Sequence, residues 1–446
     1  MQQKVDRQKL YTQIQQKRLK EAKDSISNVH PADIAYLIND SQAEFQLSIF
    51  LLLSNHQASD VLPELYPDVI EQIIDNIAKT RLLNIIDEMS SDEAVDLISE
   101  MDDDKKSEIL DSILDEEDKK SITELLTYDE DSAGGLMESE VIAVHKDFTI
   151  SQVIDFISDN FQEVENLHYI FIVDDANILL GQVSLTRLIV SQKNTLVGKI
   201  MQKDIFYATV DMDQEKVAHI FRKYDIYSLP VVDNLGALKG RITVDDIIDV
   251  IDDEASEDAY KMVGLESEDK VFSTPISSVK KRLPWLSLNL LTAFLVSSVV
   301  GIFEPTIAKL SFLAVLMPIV AGLGGNSGTQ TLTVIVRGIA LGELTIHNTY
   351  RAIVKELTVG IINGVVIGSF ASIIAFFFKG DFMLGVVLGV AMICNMFIAS
   401  IVGSLIPVVM KKLKFDPALA SGILITMLTD IGGFASFLGL ATIFLM

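Results

Sequence analysis

Apolar and polar positions follow three different patterns along this chain. Over residues 20–127, apolar side chains recur at helical spacing in an acidic background, as in IDEMSSDEAVDLISEMDDDKKSEILDSILDEEDKK, which predicts an array of short amphipathic helices. The pair Ser90 and Glu93 and the cluster Asp102, Asp103, Asp104 mark helix starts within it. Over residues 137–250, short strand-like runs alternate with helical ones. From residue 286 onward the pattern is apolar almost throughout, and five segments can be read, 286–303, 311–336, 357–378, 382–410 and 418–446. Each is long enough to cross a bilayer as a helix.

The middle region is an internal repeat. Residues 137–190 and 201–250 each run from a Met through short strands and a helix to an apolar-Val-Asp turn, at Val173-Asp174 and Val232-Asp233. Each then continues with a glycine and a strand-to-helix step, GQVSLTRLI from Gly181 and GRITVDDII from Gly240. This organisation resembles a CBS-domain pair. The resemblance implies an adenosine nucleotide such as ATP as a ligand, with the Thr and Asp of a G-x-x-T-x-x-D pattern taking phosphate and ribose. The second copy matches with Gly240, Thr243 and Asp246, whereas the first has Ser184 and Arg187 in the last two places, so at most one nucleotide site is expected. The competing reading is an empty pair that only transmits strain.

Charge divides the chain more sharply than length does. Residues 276–446 hold 6 acidic and 11 basic side chains, and residues 1–275 hold 56 and 25, so that nets of about +5 and −31 make up the overall −26. So acidic a soluble part disfavours nucleic acid, whose phosphates need the opposite sign, and favours multivalent cations. The start, MQQKVDRQKL, has no apolar core of signal-peptide type, so the N-terminal domains are expected in the cytoplasm. Lys280, Lys281, Arg282, Arg337, Arg351, Lys355, Lys411, Lys412 and Lys414 then flank the spans on the inside, and the outer loops hold only Lys309 and Lys379. That is the positive-inside arrangement of a multi-pass protein in the cell membrane. Trp285, after Pro284, suits an interfacial anchor. Cys394 is the only cysteine, which excludes an intrachain disulfide and a thiolate metal cluster. Gly360, Gly364 and Gly368, and likewise Gly385 and Gly389, recur every four residues and predict close helix packing rather than chemistry.

Two features of the apolar half do point to chemistry. Asp430 is the only charged residue in residues 417–446. A helix starting at Pro417 places it about 20 Å in, near the middle of a hydrocarbon core about 30 Å thick. An unpaired charge there costs at least about 3 kcal/mol, which makes an ion or proton pathway the default reading over a protonated packing contact. The second feature is MPIVAGLGGNSGTQ, residues 317–330, where Pro318 and four glycines predict a break in the helix that exposes backbone carbonyls. Asn326, Ser327, Thr329 and Gln330 add neutral oxygens. Neutral oxygens with one carboxylate are hard ligands, suited to magnesium or calcium rather than zinc or copper. A kinked packing helix is the plain alternative.

The run Pro318, Gly322, Gly324, Gly325, Asn326, Gly328 and Gln330 closely resembles the signature of MgtE-type magnesium channels and transporters. Residues 416–434, DPALASGILITMLTDIGGF, look like that family's last helix, and LTYDEDSAGGLME, residues 126–138, is similar to its approach to the regulatory domain, except that Asp129 stands where proline is usual. The resemblance covers essentially the whole chain. It implies a homodimer with one pore between the protomers, in which the paired Asp430 residues hold hydrated magnesium; Asn326, with its neutral oxygen, is a further candidate pore ligand. The implied architecture is multidomain: an acidic α-helical N-domain (1–131), an α/β CBS-domain pair (132–252), a connecting or plug helix (253–280) and an all-α membrane domain of five transmembrane helices (281–446).

Acidic residues become dense from Asp245 on: Asp245, Asp246, Asp249, Asp252, Asp253, Glu254, Glu257, Asp258, Glu266 and Glu268, over an apolar stripe that makes one or two helices. The resemblance places a plug under the pore here. Facing carboxylates repel unless a divalent ion bridges them, so Asp245, Asp249, Asp252, Asp253, Glu254, Glu257 and Asp258 are candidate regulatory magnesium ligands. An exposed acidic linker is the alternative. The expectation is a magnesium-selective channel closed by cytoplasmic magnesium, with cobalt, nickel and manganese sharing its type of ligand. A carrier coupled to protons or sodium is the runner-up. An enzyme is disfavoured, because neither a nucleophile-base set nor a P-loop can be read.

Overall fold

The computed structural model describes residues 6–113, 115–160, 167–265, 274–345, 347–419 and 421–446, which leaves Glu266 and Glu268 outside the described residues. The chain divides into two compact units, residues 1–248 and 249–446.

The first unit opens with short helices, from Arg7–Gln15 to Glu116–Leu125. Their starts follow from sequence. Pro31 and Pro67 stand at first helical positions, where a missing N–H costs nothing, and Ser54 with Gln57 forms a reciprocal capping box. The expected starts at Ser90 and Asp102 precede the helices Ser91–Ser99 and Asp103–Leu110. Ile34, Ile38, Ile49, Phe50, Ile73, Ile85 and Ile98 fill the core. Arg81 secures the far end of helix Ala43–Phe50 by donating to the carbonyls of Phe50 at 3.2 Å, Leu51 at 3.3 Å and Leu53 at 2.9 Å.

The repeat folds as two matching sheets. Strands β1 (Ala143–His145), β2 (Tyr169–Val173) and β3 (Leu179–Ser184) form one, and β4 (Ala208–Thr209), β5 (Ser228–Val232) and β6 (Leu238–Thr243) the other. In each, the first pair is parallel and the second antiparallel, with the same irregularity at the end of the middle strand. The Val-Asp turns form as expected. Asp174 Oδ1 accepts from the N–H groups of Ala176 and Ile178 at 2.9 and 3.0 Å, and Asp233 Oδ1 from those of Leu235 and Ala237 at 2.8 and 2.9 Å. Left-handed Asn177 and Gly236 then bond across: Leu179 N–H donates to Gly236 and Leu238 N–H to Asn177. Gly181 and Gly240 are required by close approach, since a Cβ would fall 2.3 Å from the Gln202 carbonyl oxygen and 2.4 Å from that of Glu138.

The second unit holds the five apolar segments as helices, Pro275–Ile302, Phe312–Ala340, Thr349–Lys379, Phe382–Lys412 and Ser421–Phe444, hereafter the first to fifth spans. One expectation fails. The second span is not broken at residues 317–330 but runs as one helix with Pro318 inside it. Proline removes a single donor, which packed neighbours tolerate, and Gly324 and Gly328 admit side chains of other spans instead of opening the backbone. The fourth span is the central strut, burying Leu388, Ala391 and Met392 in a core shared with Val320, Phe437 and Leu438. The four-residue glycine pattern acts as expected. Gly360 lies against Ser400, Gly364 against Ile393, Gly385 against Ser372 and Gly368 against Gly389.

A methyl group at Gly368 would lie 2.7 Å from the Gly389 carbonyl oxygen, so backbone must move. Gly368→Ala is expected to destabilise the detergent-solubilised protein by about 1–3 kcal/mol. Gly301→Ala, with nothing within 4 Å, is the control. Equal melting temperatures for the two variants would show that this contact is not tight.

Candidate functional site

The second and fifth spans bring the two apolar motifs side by side. Gly328 is buried, and a Cβ there would fall 2.5 Å from Ile425 and 3.4 Å from Thr429. Thr429 is fully buried, its hydroxyl donating to the Ile425 carbonyl at 2.8 Å, so Asp430 follows a residue fixed against the second span. Asp430 itself is half-buried. On the second span, Gly322, Gly325, Asn326 and Thr329 fall at i, i+3, i+4 and i+7, which is one helix face. Gly322, Asn326 and Thr329 are exposed on that face, and Gly322 and Gly325 have nothing within 4 Å of a built Cβ. An open polar face in mid-span must be covered by protein, water or an ion. The oxygens it offers belong to side chains rather than to a broken backbone.

Another carboxylate among the spans is Glu356, which sequence reading passed over. It is buried, receives Lys355 Nζ at 2.5 Å and accepts from Thr331 Oγ1 at 3.4 Å. Lys355, the preceding residue, balances its charge.

The acidic stretch after the repeat is one helix, Val244–Met262, ended by Gly264 in the left-handed region. Met262 packs with Leu332, Val336, Ala418 and Ile425, and a Cβ on Gly422 would lie 2.4 Å from its carbonyl oxygen. The tip of this helix therefore sits against the second and fifth spans. One residue back, Lys261 Nζ bonds Asp416 Oδ2 at 2.7 Å and pairs with Glu257. Burial opposes that charge, but the bonds to Asp416 and Glu257 prevail and push Lys261 up to about 12. Burial, then the charge of Asp416, raises Asp258. Lys261 is thus held between Glu257 and Asp416, and the charges of Lys261 and Arg337 both act on Asp258. Asp416 lies inside the DPALASG motif but was not read as a ligand, because nothing in sequence pairs it with residues 257 and 258. Asp245, Asp249, Asp252 and Asp253 are exposed along the same helix, and Glu254 is half-buried. Among the described residues, no three Asp, Glu, His or Cys side chains stand close enough to hold a metal as they are.

A second acidic cluster lies inside the first unit. Asp92 is raised by burial, and its Oδ1 has no hydrogen-bond partner among the described residues. Burial and then Asp92 push Glu93 up to about 7 and Asp246 up to about 6. Asp96, exposed, counts Asp92, Glu130 and Asp246 among its charged neighbours. Glu138 receives Arg241 Nη2 at 2.9 Å. Asp246 is held at its helix start by Thr243, whose N–H and Oγ1 donate to its Oδ2 at 3.1 and 2.6 Å. Thr243 and Asp246 are thus engaged with each other, and Gly240 serves close packing. Asp92 and Glu93 were legible in sequence only as a favourable first helical turn.

Sequence profiles match three parts of the chain: the MgtE divalent cation transporter over residues 317–440, the MgtE intracellular N domain over 29–131, and the CBS domain over 133–193 and 197–253. The magnesium transporter MgtE of Thermus thermophilus is 32% identical over 95% of this chain and 95% of its own. This chain belongs to the MgtE family. That of Enterococcus faecalis is 36% identical over 74% of this chain and 72% of its own. The crystal structure of the cytosolic domain of the Mg2+ channel MgtE in complex with ATP superposes with a TM-score of 0.52 at 32% identity, covering 54% of this chain and 98% of that one. The soluble part of a magnesium transporter gives 0.52 at 28% identity, covering 56% and 98%. Family membership makes this MgtE chain a transporter and not an enzyme.

Carboxylates raised by burial are most at ease protonated. The packing of Glu93 and Asp246 beside Asp92 is therefore strongest below the ordinary carboxylate range near 4 and weakens as pH rises through about 6 to 7. In chelator, proteolysis between helix Ser91–Ser99 and the repeat is expected to be faster at pH 8 than at pH 5, and Asp92→Asn is expected to flatten the difference. Identical cleavage at both pH values in the unmodified protein would refute the coupling.

Proposed function

We propose that this chain conducts magnesium across the cell membrane as a homodimer and is closed by magnesium on its cytoplasmic side. The observation that carries the reading is the polar face of the second span, with Asn326 and Thr329 exposed at mid-membrane beside the helix that bears Asp430. A second copy facing it encloses these oxygens in a water-filled path and removes them from lipid. Paired Asp430 carboxylates supply the fixed charge, and the neutral oxygens suit a cation that keeps its waters. The membrane potential supplies the drive, about 4.6 kcal/mol per 100 mV for two charges.

Closure follows from charge. Magnesium replaces repulsion with bridges at Glu257, Asp258 and Asp416, where Met262 meets the second and fifth spans, and at the Asp92 and Asp246 cluster. Asp245, Asp249, Asp252, Asp253 and Glu254 add to the field that draws cations there. When magnesium falls, repulsion loosens the helix tip and the path opens. ATP at Gly240, Thr243 and Asp246 is a further part of this proposal, supported by the related cytosolic domain solved with ATP. Binding requires that Asp246 leave Thr243.

Magnesium flux into liposomes that carry no proton or sodium gradient tests the reading. Asp430→Asn is expected to keep the fold and lower magnesium flux at least about tenfold, and Asn326→Ala to lower it as well. Wild-type flux and ion preference in Asp430→Asn would remove the pore from this face.

Neutralising Asp249, Asp253, Glu257 and Asp258 together is expected to reduce magnesium binding and abolish inhibition by internal magnesium. An inhibition midpoint equal to wild type would reduce these carboxylates to a solvated face.

A further inference from the structure

Asn395 lies at the centre of the fourth span and is fully buried. Its Nδ2 crosses to the second span and donates to the Val320 carbonyl at 2.7 Å. Its carboxamide also occupies two notches. A Cβ on Gly324 of the second span would fall 2.2 Å from Nδ2, and one on Gly433 of the fifth span 2.6 Å from it. One side chain is thus wedged between the two helices that carry the proposed path, two residues before Asn326 and three after Asp430. Its Oδ1 has no hydrogen-bond donor among the described residues. In a membrane interior an unpaired amide oxygen is unfavourable, and a leucine of similar size would fill the same notches without it. What the amide supplies and leucine cannot is the directed bond to Val320.

We propose that Asn395 is a positioning residue for ion passage. Its bond to Val320 fixes the rotation and height of the second span, and its contact with Gly433 refers that position to the fifth span. The distance between the Asn326 and Asp430 oxygens is then set by a side chain that touches no ion. Two helices held only by apolar contacts can slide or rotate at little cost, whereas a buried directed bond with glycine on both sides allows one register. Ion preference depends on that spacing, because hydrated cations differ in size and in how firmly they hold water.

The inference rests on the proposed pore, and the full-length protein in liposomes separates the two. Asn395→Leu keeps the wedge and removes the bond. Magnesium influx is expected to fall about three- to tenfold, the worth of one hydrogen bond, and the preference for magnesium over calcium to shift by a similar factor, with no drop in melting temperature. Wild-type influx and preference in Asn395→Leu would overturn the positioning role. If Asn395→Leu does not fold, Gly324→Ala alone and combined with Asn395→Ala decides. The combination vacates the space that the added methyl needs, so the melting temperature lost in Gly324→Ala is expected to return while the ion preference stays altered. Recovery of both would make Asn395 mere packing. Asp430→Asn distinguishes the failures: if it abolishes flux while Asn395→Leu is silent, only this inference fails, and if it leaves flux unchanged the pore reading fails first.

Discussion

Hydrocarbon does not hydrogen-bond, and that constraint organises the membrane unit of this chain. Several polar side chains inside it are satisfied within their own span, and others lie on one face that something other than lipid must cover. Ser404 returns its hydroxyl to the Ser400 carbonyl and Thr429 to Ile425, and Glu356 has Lys355 beside it. Gly322, Asn326 and Thr329 are different. They share an exposed helix face whose polarity makes sense only opposite water, an ion or another copy. The division between satisfied and open polar groups separates packing from pathway more sharply than composition does.

The soluble part meets the opposite problem, too many like charges in water. Helix dipoles and a few ion pairs accommodate part of the excess, and burial forces some of the remainder toward the neutral form, as at Glu93 and Asp246. A proton and a divalent cation relieve the same repulsion, so both favour the compact arrangement. At the tip of helix Val244–Met262, the Lys261 ammonium already holds Glu257 and Asp416 together. Local geometry there is built around a cation, whatever its source.

Glycine connects the two halves of the membrane problem. Where it recurs every four residues it lets backbones touch, as at Gly368 and Gly389, and where it stands alone it receives a polar side chain, as Gly324 and Gly433 receive Asn395. The same residue type therefore marks tight packing on one side of the second span and open space on the other. No rule of spacing distinguishes the two.

Sequence alone determined the order of parts, the five spans, the duplicated strand-turn-strand unit with its Val-Asp turns, the helix starts and the two intramembrane motifs. These depend on local periodicity, on cap chemistry and on the cost of charge in lipid, all of which act over a few residues. Only the tertiary structure decided what the glycine-rich stretch does. It reads as a break, yet it remains a continuous helix because neighbouring spans fill its notches. Tertiary structure also joined Asp416 to Glu257 and Asp258, placed Asp92 beside Asp246 and turned the Thr243 and Asp246 pair inward upon itself. Those pairings span about 150 residues in each of the first two cases, and electrostatic and packing energies between such distant positions exist only once the chain has folded.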